Sequence, residues 1–232
     1  MSLTVLIPSY NRNNFKELIE YNLNLNINDY NDKDKGYFVS EVIIYEDGIE
    51  NPITELKLIN KKVKITIINK KDKISIGEKR NKLIKLSKTK YSCFMDTDDI
   101  YFYNYFSSSI NNLKTFKKKI TGSSDMLFYF TSYNKTGSMR TSGNIYLTHE
   151  ATLFFETNFI KNNMKFKKTD SSEGIDFIKG FEDYYIENSI LNIMVCIEHK
   201  NNTVDKKIWY KSNNEINLNI NEHLKILSKL EI

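Results

Sequence analysis

Asp96-Thr97-Asp98-Asp99 places three carboxylates within four residues, directly behind the apolar run Tyr91-Ser-Cys-Phe-Met95. Acids this close repel one another and destabilise a fold that buries them unpaired. They call for a cation. Carboxylate oxygens suit hard Mg²⁺ or Mn²⁺, and Mg²⁺ in particular is held by one or two protein carboxylates together with substrate phosphates. A solvated acidic turn that caps a helix would use the same residues without any chemistry, and spacing alone leaves both readings open. Two other apolar runs also end in polar groups, at Ser9-Tyr10-Asn11-Arg12 and at Glu46-Asp47.

The elements that carry these groups follow from hydrophobic period. Leu3 to Ile7 is a short β-branched run closed by Pro8, a buried strand emptying into a loop. Asn13 or Asn14 can cap a helix whose apolar side holds Phe15, Leu18, Ile19 and Leu23. A second strand, Val39 to Tyr45, ends at Glu46-Asp47-Gly48, where Asp-Gly marks a turn. Pro52 stands where a helix over Ile53, Leu56 and Ile59 can begin, and Val63 to Ile68 alternates as a third strand. Ile76 to Leu86 reads as an amphipathic helix and Tyr91 to Met95 as a fourth strand. Alternation of this kind predicts right-handed βαβ units and a mainly parallel sheet covered on both faces, with ligands bound beyond the carboxyl ends of the strands. In the less regular second half, Asp125 to Tyr133, Gly143 to Leu147 and Ala151 to Phe155 are expected strands, and Phe181 to Leu191 an expected helix.

Composition narrows the class. The chain has 232 residues, enough for one large domain with its own core and no staples. No composition break or internal repeat separates the halves, so a single domain is expected. Lys and Arg number 34 against 29 Asp and Glu, a net charge of +5 that is too mild for a protein dedicated to coating polyphosphate. Lys61 to Lys73 is read as a solvated basic face, and no nucleic-acid partner is expected. Cys93 and Cys196 are two buried thiols of a reducing compartment, since they form neither a disulfide framework nor a metal-ligand spacing. The apolar start is too short and lacks the basic flank of a signal peptide, and no run approaches ~18 apolar residues. The expected location is cytoplasmic, without an integral membrane segment.

Thr4-Val-Leu-Ile-Pro-Ser-Tyr-Asn-Arg12, Val42-Ile-Ile-Tyr-Glu-Asp-Gly48, Gly77-Glu-Lys-Arg-Asn81 and Tyr91-Ser-Cys-Phe-Met-Asp-Thr-Asp-Asp99, in that order, resemble the nucleotide-sugar half of family-2-type glycosyltransferases with the GT-A fold. The resemblance implies an α/β, Rossmann-like single domain. Residues 1–101 would be its nucleotide-sugar half and 102–232 its acceptor-side half. It also implies transfer of a sugar from a nucleotide donor, UDP-linked in the usual case, to a hydroxyl of a glycan or protein, with Mn²⁺ or Mg²⁺ and with inversion.

Residue roles carry over by the same resemblance. Asp98 is the leading metal ligand, joined by Asp99 and by His199 in Glu198-His-Lys-Asn-Asn-Thr203, while Asp96 and Thr97 belong with Asp98 to the nucleotide-sugar site. Asp47 matches the acceptor of the base's ring N–H, and Pro8, Ser9, Tyr10 and Arg12 would line the same pocket. Arg80 corresponds to the family's arginine near base and diphosphate. In Gly180-Phe-Glu-Asp-Tyr184, Asp183 is the expected base and Glu182 an orienting acid. Each has a bland alternative: a surface histidine for His199, a turn residue for Asp47, a solvated cation for Arg80, first-turn helix acids for Glu182 and Asp183. His149 and His223 receive no role, and Trp209 is read as packing. Competing functions are a non-catalytic nucleotide- or glycan-binding module and a sugar nucleotidyltransferase; the loop after the first strand lacks the glycines the latter needs.

Overall fold

The computed structural model describes residues 1–232 except 33, 201, 203, 204, 211–213, 231 and 232. Four strands, β1 (Ser2–Ser9), β2 (Phe38–Glu46), β3 (Lys64–Asn69) and β4 (Tyr91–Phe94), pair in parallel in the order β4-β1-β2-β3. Three shorter strands, β6 (Ile120–Gly122), β9 (Phe154–Glu156) and β10 (Tyr185–Glu187), extend that sheet beyond β4 in the order β9-β6-β10, with β9 antiparallel to both neighbours. The expected α/β architecture with a mainly parallel central sheet is therefore present.

Successive side chains of a strand point to opposite faces, and both faces are filled. Val5, Ile7, Val42 and Ile44 pack with Phe15, Leu18 and Leu23 beside α1 (Lys16–Tyr30) and with Phe106 and Ile110 of α3 (Tyr105–Thr115). Leu6, Ile43 and Phe94 pack on the other side with Leu83 and Ile84 of α2 (Ile76–Leu86), Ile160 of α4 (Thr157–Asn163), Phe166 and Phe177. A second sheet, β5 (Ile100–Tyr101), β7 (Met126–Phe130), β8 (Lys135–Met139), β11 (Met194–Glu198) and β12 (Asn214–Glu215), runs in the order β12-β8-β7-β11-β5 and shares the first of these cores. The last described helix, α5 (Asn221–Leu227), rests on α1. Among the described residues no helix is long and apolar enough to cross a membrane.

Several local expectations are corrected. Residues 53–59 form no helix but an extended strap along α1, because side chains take its N–H groups: Lys57 donates to Glu20 at 2.6 Å and Ile59 to Asn24 at 2.9 Å. The helix start at Asn13 is a 3-10 turn, Asn13–Phe15, without a side-chain cap. The strand expected near Gly143 lies earlier, at β8, and Ile145–Leu147 is a 3-10 turn. Instead of a helix, residues 181–191 hold 3-10 turns at Glu182–Tyr184 and Ile190–Asn192 around β10. Pairing with β6 has overridden the local helical period there.

Candidate functional site

Strands β1, β2 and β4 end side by side, and a buried carboxylate ties the first two ends together. Glu46 accepts from Ser9 Oγ at 2.7 Å and from the N–H groups of Asn11, Gly48 and Ile53 at 2.9, 2.7 and 3.2 Å. Asn11 sits at a positive φ of 55°, and a Cβ on Gly48 would come within 2.1 Å of its side chain, so this close approach requires glycine. Glu46→Ala leaves four donors unsatisfied in a buried junction. It is expected to lower unfolding free energy by about 3–5 kcal/mol in denaturant titration.

Pro8 and Ser9 are buried beneath the loop, while Tyr10 is half-exposed with the Lys73 and Lys79 ammonium groups 4.5 and 5.3 Å from its ring centre. Asp47 is buried: it accepts the Ile74 N–H at 2.8 Å and pairs with Lys79, whose ammonium also donates to the Ser9 carbonyl at 2.8 Å. Burial holds Lys79 below the ordinary lysine range, although Asp47 opposes the shift.

The acidic cluster is divided among three cations. Asp96 faces Arg80, whose Nη2 lies 3.0 and 3.2 Å from its two oxygens. Asp98 lies 3.0 Å from His199 Nε2 and 3.7 Å from Arg12. Burial disfavours its charge, yet the His199 contact, Lys206 and Arg12 outweigh burial and hold the carboxyl well below the usual range. Asp99 turns away, accepting the Ile197 N–H and the Lys206 ammonium, each at 2.9 Å; burial pushes its carboxyl up against the pull of Lys206. Thr97 is buried between them.

Arg80 is 2% exposed. Its Nε donates to Glu173 at 3.0 Å, but Nη1 is buried with no partner among the described residues. Burial opposes its charge, and Asp96, Glu173 and Glu150 together more than offset that, so the guanidinium stays protonated. Glu173 arrives on a loop laid across the first turn of α2: Gly77 donates to the Thr169 carbonyl at 3.2 Å, and a Cβ on Gly77 would strike the Lys167 carbonyl. Gly174 donates to Glu150 at 2.7 Å, and its own Cβ would likewise meet that carboxylate.

A cleft of about 540 Å³ is lined by Arg80, Asp96, Asp98 and Asp99 together with His149, Glu150, Glu173, Lys206 and Trp209. His149 Nδ1 is buried there without a partner among the described residues. Pro8, Ser9, Tyr10, Arg12, Asp47, Thr97 and His199 are not among the cleft's lining residues. Glu182 and Asp183 do not line it either. They stand where β10 begins, Glu182 accepting from Tyr146 Oη at 2.8 Å and the Asp183 carbonyl accepting from Lys118 at 2.5 Å, while β10 runs parallel to β6 toward the cleft end. His149, Glu150, Glu173 and Lys206 were missed from sequence; the only local signal was the turn-forming Ser171-Ser172-Glu173-Gly174.

The metal ligands expected from sequence meet only in part. Asp98 and His199 converge, Asp99 is withdrawn onto Lys206, and no group of three or more His, Cys, Asp or Glu is arranged to hold an ion among the described residues. A carboxylate and an imidazole fit an ion completed by substrate phosphates and water, not a closed protein cage.

A family model described as glycosyl transferase family 2 matches residues 4–187. Comparison with curated proteins found no match. Among solved structures, TarS of S. aureus superposes with a TM-score of 0.63 at 14% identity, over 85% of this chain and 37% of that one. TarS 1-349 in complex with UDP-GlcNAc gives 0.59 at 14%, over 87% and 60%. Glucosyl-3-phosphoglycerate synthase of Mycobacterium tuberculosis, in complex with Mn²⁺, UDP-glucose and phosphoglyceric acid, gives 0.53 at 14%, over 80% and 68%. The chain thus spans less than two thirds of either TarS chain, and at these identities the likeness shows the shared GT-A fold.

Proposed function

Since this chain belongs to glycosyl transferase family 2 and is thereby a glycosyltransferase, we propose that its cleft takes a sugar carried on uridine diphosphate and passes it, with a divalent cation and inversion, to a hydroxyl of a glycan or protein. Arg80 carries this reading. A buried guanidinium with an unpartnered N–H, set among carboxylates at the edge of a cleft, fits a diphosphate that brings its own cation. The UDP-GlcNAc complex of TarS 1-349 and the Mn²⁺ and UDP-glucose complex of the M. tuberculosis synthase support the choice of carrier and metal.

Tyr10 and Asp47, above Pro8 and Ser9, are assigned to the base, whose ring N–H donates to a carboxylate. Asp96 and Thr97 are assigned to the ribose side, and Arg12 and Arg80 to the diphosphate. Asp98 and His199 would hold the ion, Asp99 acting on it only through its place beside them. Mn²⁺ or Mg²⁺ there would stabilise the charge developing on the departing diphosphate.

Attack by a hydroxyl needs a base on the face opposite the leaving group. The resemblance assigned that to Asp183, with Glu182 orienting; we assign it to Glu173, which lies in the cleft where Asp183 does not. Burial and the neighbouring Glu150 raise its carboxyl while Arg80 lowers it, and the balance lies above the ordinary glutamate value. A raised carboxyl is the stronger base.

Incubation with UDP-glucose or UDP-GlcNAc and Mn²⁺ tests the reading through release of UDP. Release above the enzyme-free rate, abolished by EDTA, is expected. Turnover of a guanosine-linked sugar alone would overturn the carrier, and binding of UDP without release from any sugar nucleotide would make the chain a binding module.

A further inference from the structure

The end of the sheet opposite the cleft has a character of its own. Residues 57–90 contain thirteen Lys or Arg and two Asp or Glu, a net of +11, which leaves −6 for the rest of a chain whose total is +5. The lysine richness of the whole sequence does not explain this, because the acids are locally depleted. Arg80, the one arginine of the stretch, lies inside the cleft, and four of the lysines belong to that side too: Lys70, Lys71 and Lys73 follow the carboxyl end of β3 and Lys79 bonds the end of β1.

Five of the others lie where the parallel strands begin. Lys61 and Lys62 form the turn before β3, Lys85 is in the last turn of α2, and Lys88 and Lys90 lead from it into β4. Lys64 and Lys82 beside them pair with Glu41 and Glu78, whereas those five have no ion-pair partner among the described residues. Of the acids at this end, Glu156 pairs with Lys119, while Asp29, Asp32 and Asp34 gather near Lys35 at the turn between α1 and β2, with Asp32 paired to it.

Apolar side chains stand among these lysines. Ile59, at the end of the strap, is 82% exposed, Phe38 at the start of β2 48%, and Leu86 at the end of α2 41%, all on this same rim. Ile59, Phe38 and Lys62 also border a cavity of about 1030 Å³, whose walls include Leu25, Ile27 and Val39.

We propose that this end of the sheet docks on an anionic phospholipid bilayer, with Phe38, Ile59 and Leu86 entering the interface and the five lysines taking lipid phosphates. Compact ammonium groups suit diffuse attraction to a charged surface, while base reading in nucleic acid most often uses arginine forks, and this rim holds no arginine. Protruding aliphatic side chains such as Ile59 and Leu86 offer a base neither a stacking face nor a hydrogen bond, and all three apolar side chains gain by leaving water at a membrane. The cavity beneath Ile59 is wide enough for an acyl chain. In this orientation the cleft faces away from the bilayer, open to an acceptor arriving from water.

Co-sedimentation with vesicles of equimolar phosphatidylcholine and phosphatidylserine, compared with phosphatidylcholine alone, tests the proposal. Binding to the mixed vesicles only is expected, weakened about 100-fold in a Lys61→Glu, Lys62→Glu, Lys88→Glu variant and at least about tenfold in Phe38→Ser, Ile59→Ser. UDP binding should be unchanged in both variants, which shows that they fold. No binding to either vesicle, equal binding to both, or undiminished binding of the triple variant would overturn it. So would capture by duplex DNA as tight as by the mixed vesicles, or a self-association that the serine variant abolishes.

Discussion

Asp98→Ala is expected to lower sugar transfer by about 10²–10³-fold, the loss seen when one preorganised electrostatic contact to a developing charge is removed. Asp98 is the carboxylate on which Arg12, His199 and Lys206 converge, and the positive charge around it holds it ionised far into acid. Without it, Arg12 and Lys206 lose the carboxylate between them, and an ion held there with His199 would lose its one carboxylate ligand. The rate should fall and its dependence on Mn²⁺ concentration should flatten, both measurable in initial rates across a Mn²⁺ titration. Asp99→Asn serves as contrast: its carboxylate is spent on Lys206 and the Ile197 N–H, so the effect should appear in thermal stability more than in the Mn²⁺ dependence. Wild-type rates and Mn²⁺ dependence in Asp98→Ala would remove Asp98 from the site.

Glu173→Gln separates binding from chemistry. The substitution keeps the shape of the loop and an oxygen for Arg80, but not the ability to take a proton. Transfer should drop by about 10²–10⁴-fold while UDP still binds. The pH profile gives a second readout. Glu173 works deprotonated, and its carboxyl is raised mainly by burial. The rate must therefore fall as pH drops through that raised value, at a higher pH than an ordinary glutamate would give, and the acid limb should vanish in the glutamine variant. Asp183→Asn should transfer at close to the wild-type rate. The reverse pattern, with Asp183→Asn inactive and Glu173→Gln active, would return the base to Asp183.

These two carboxylates show how far the sequence could be read. Asp98 was legible because it follows directly on a buried strand, and three strand ends with polar groups sit together in any parallel sheet; the βαβ pattern of β1 to β4 and helix α2 needed only local period. Glu173 was not, because what brings it to Arg80 is a loop held by the missing side chain of Gly77 and by Asn81, which bonds the Phe166 backbone in both directions at 2.9 Å. Such contacts leave no periodic trace. The same lack hid the local structure around Asp183: residues 181–191 alternate like a helix, yet an open edge at β6 claims three of them as a strand. Glu46 was visible as a strand-end acid, but its four donors come from residues up to 37 positions away, so its bracing role emerged only in three dimensions.

The central claim is that strand-end acids and Arg80 together receive a nucleoside diphosphate with its cation. Thermal unfolding of the wild-type chain with UDP, with and without Mn²⁺, tests it most directly. At ~100 times the dissociation constant a ligand adds about 2.7 kcal/mol, which for a chain of this size raises Tm by roughly 5–10 °C. That rise is expected with UDP and Mn²⁺ together and should be absent in Arg80→Met. An unchanged Tm in the wild type at saturating UDP and Mn²⁺, or an equal rise in Arg80→Met, would contradict it.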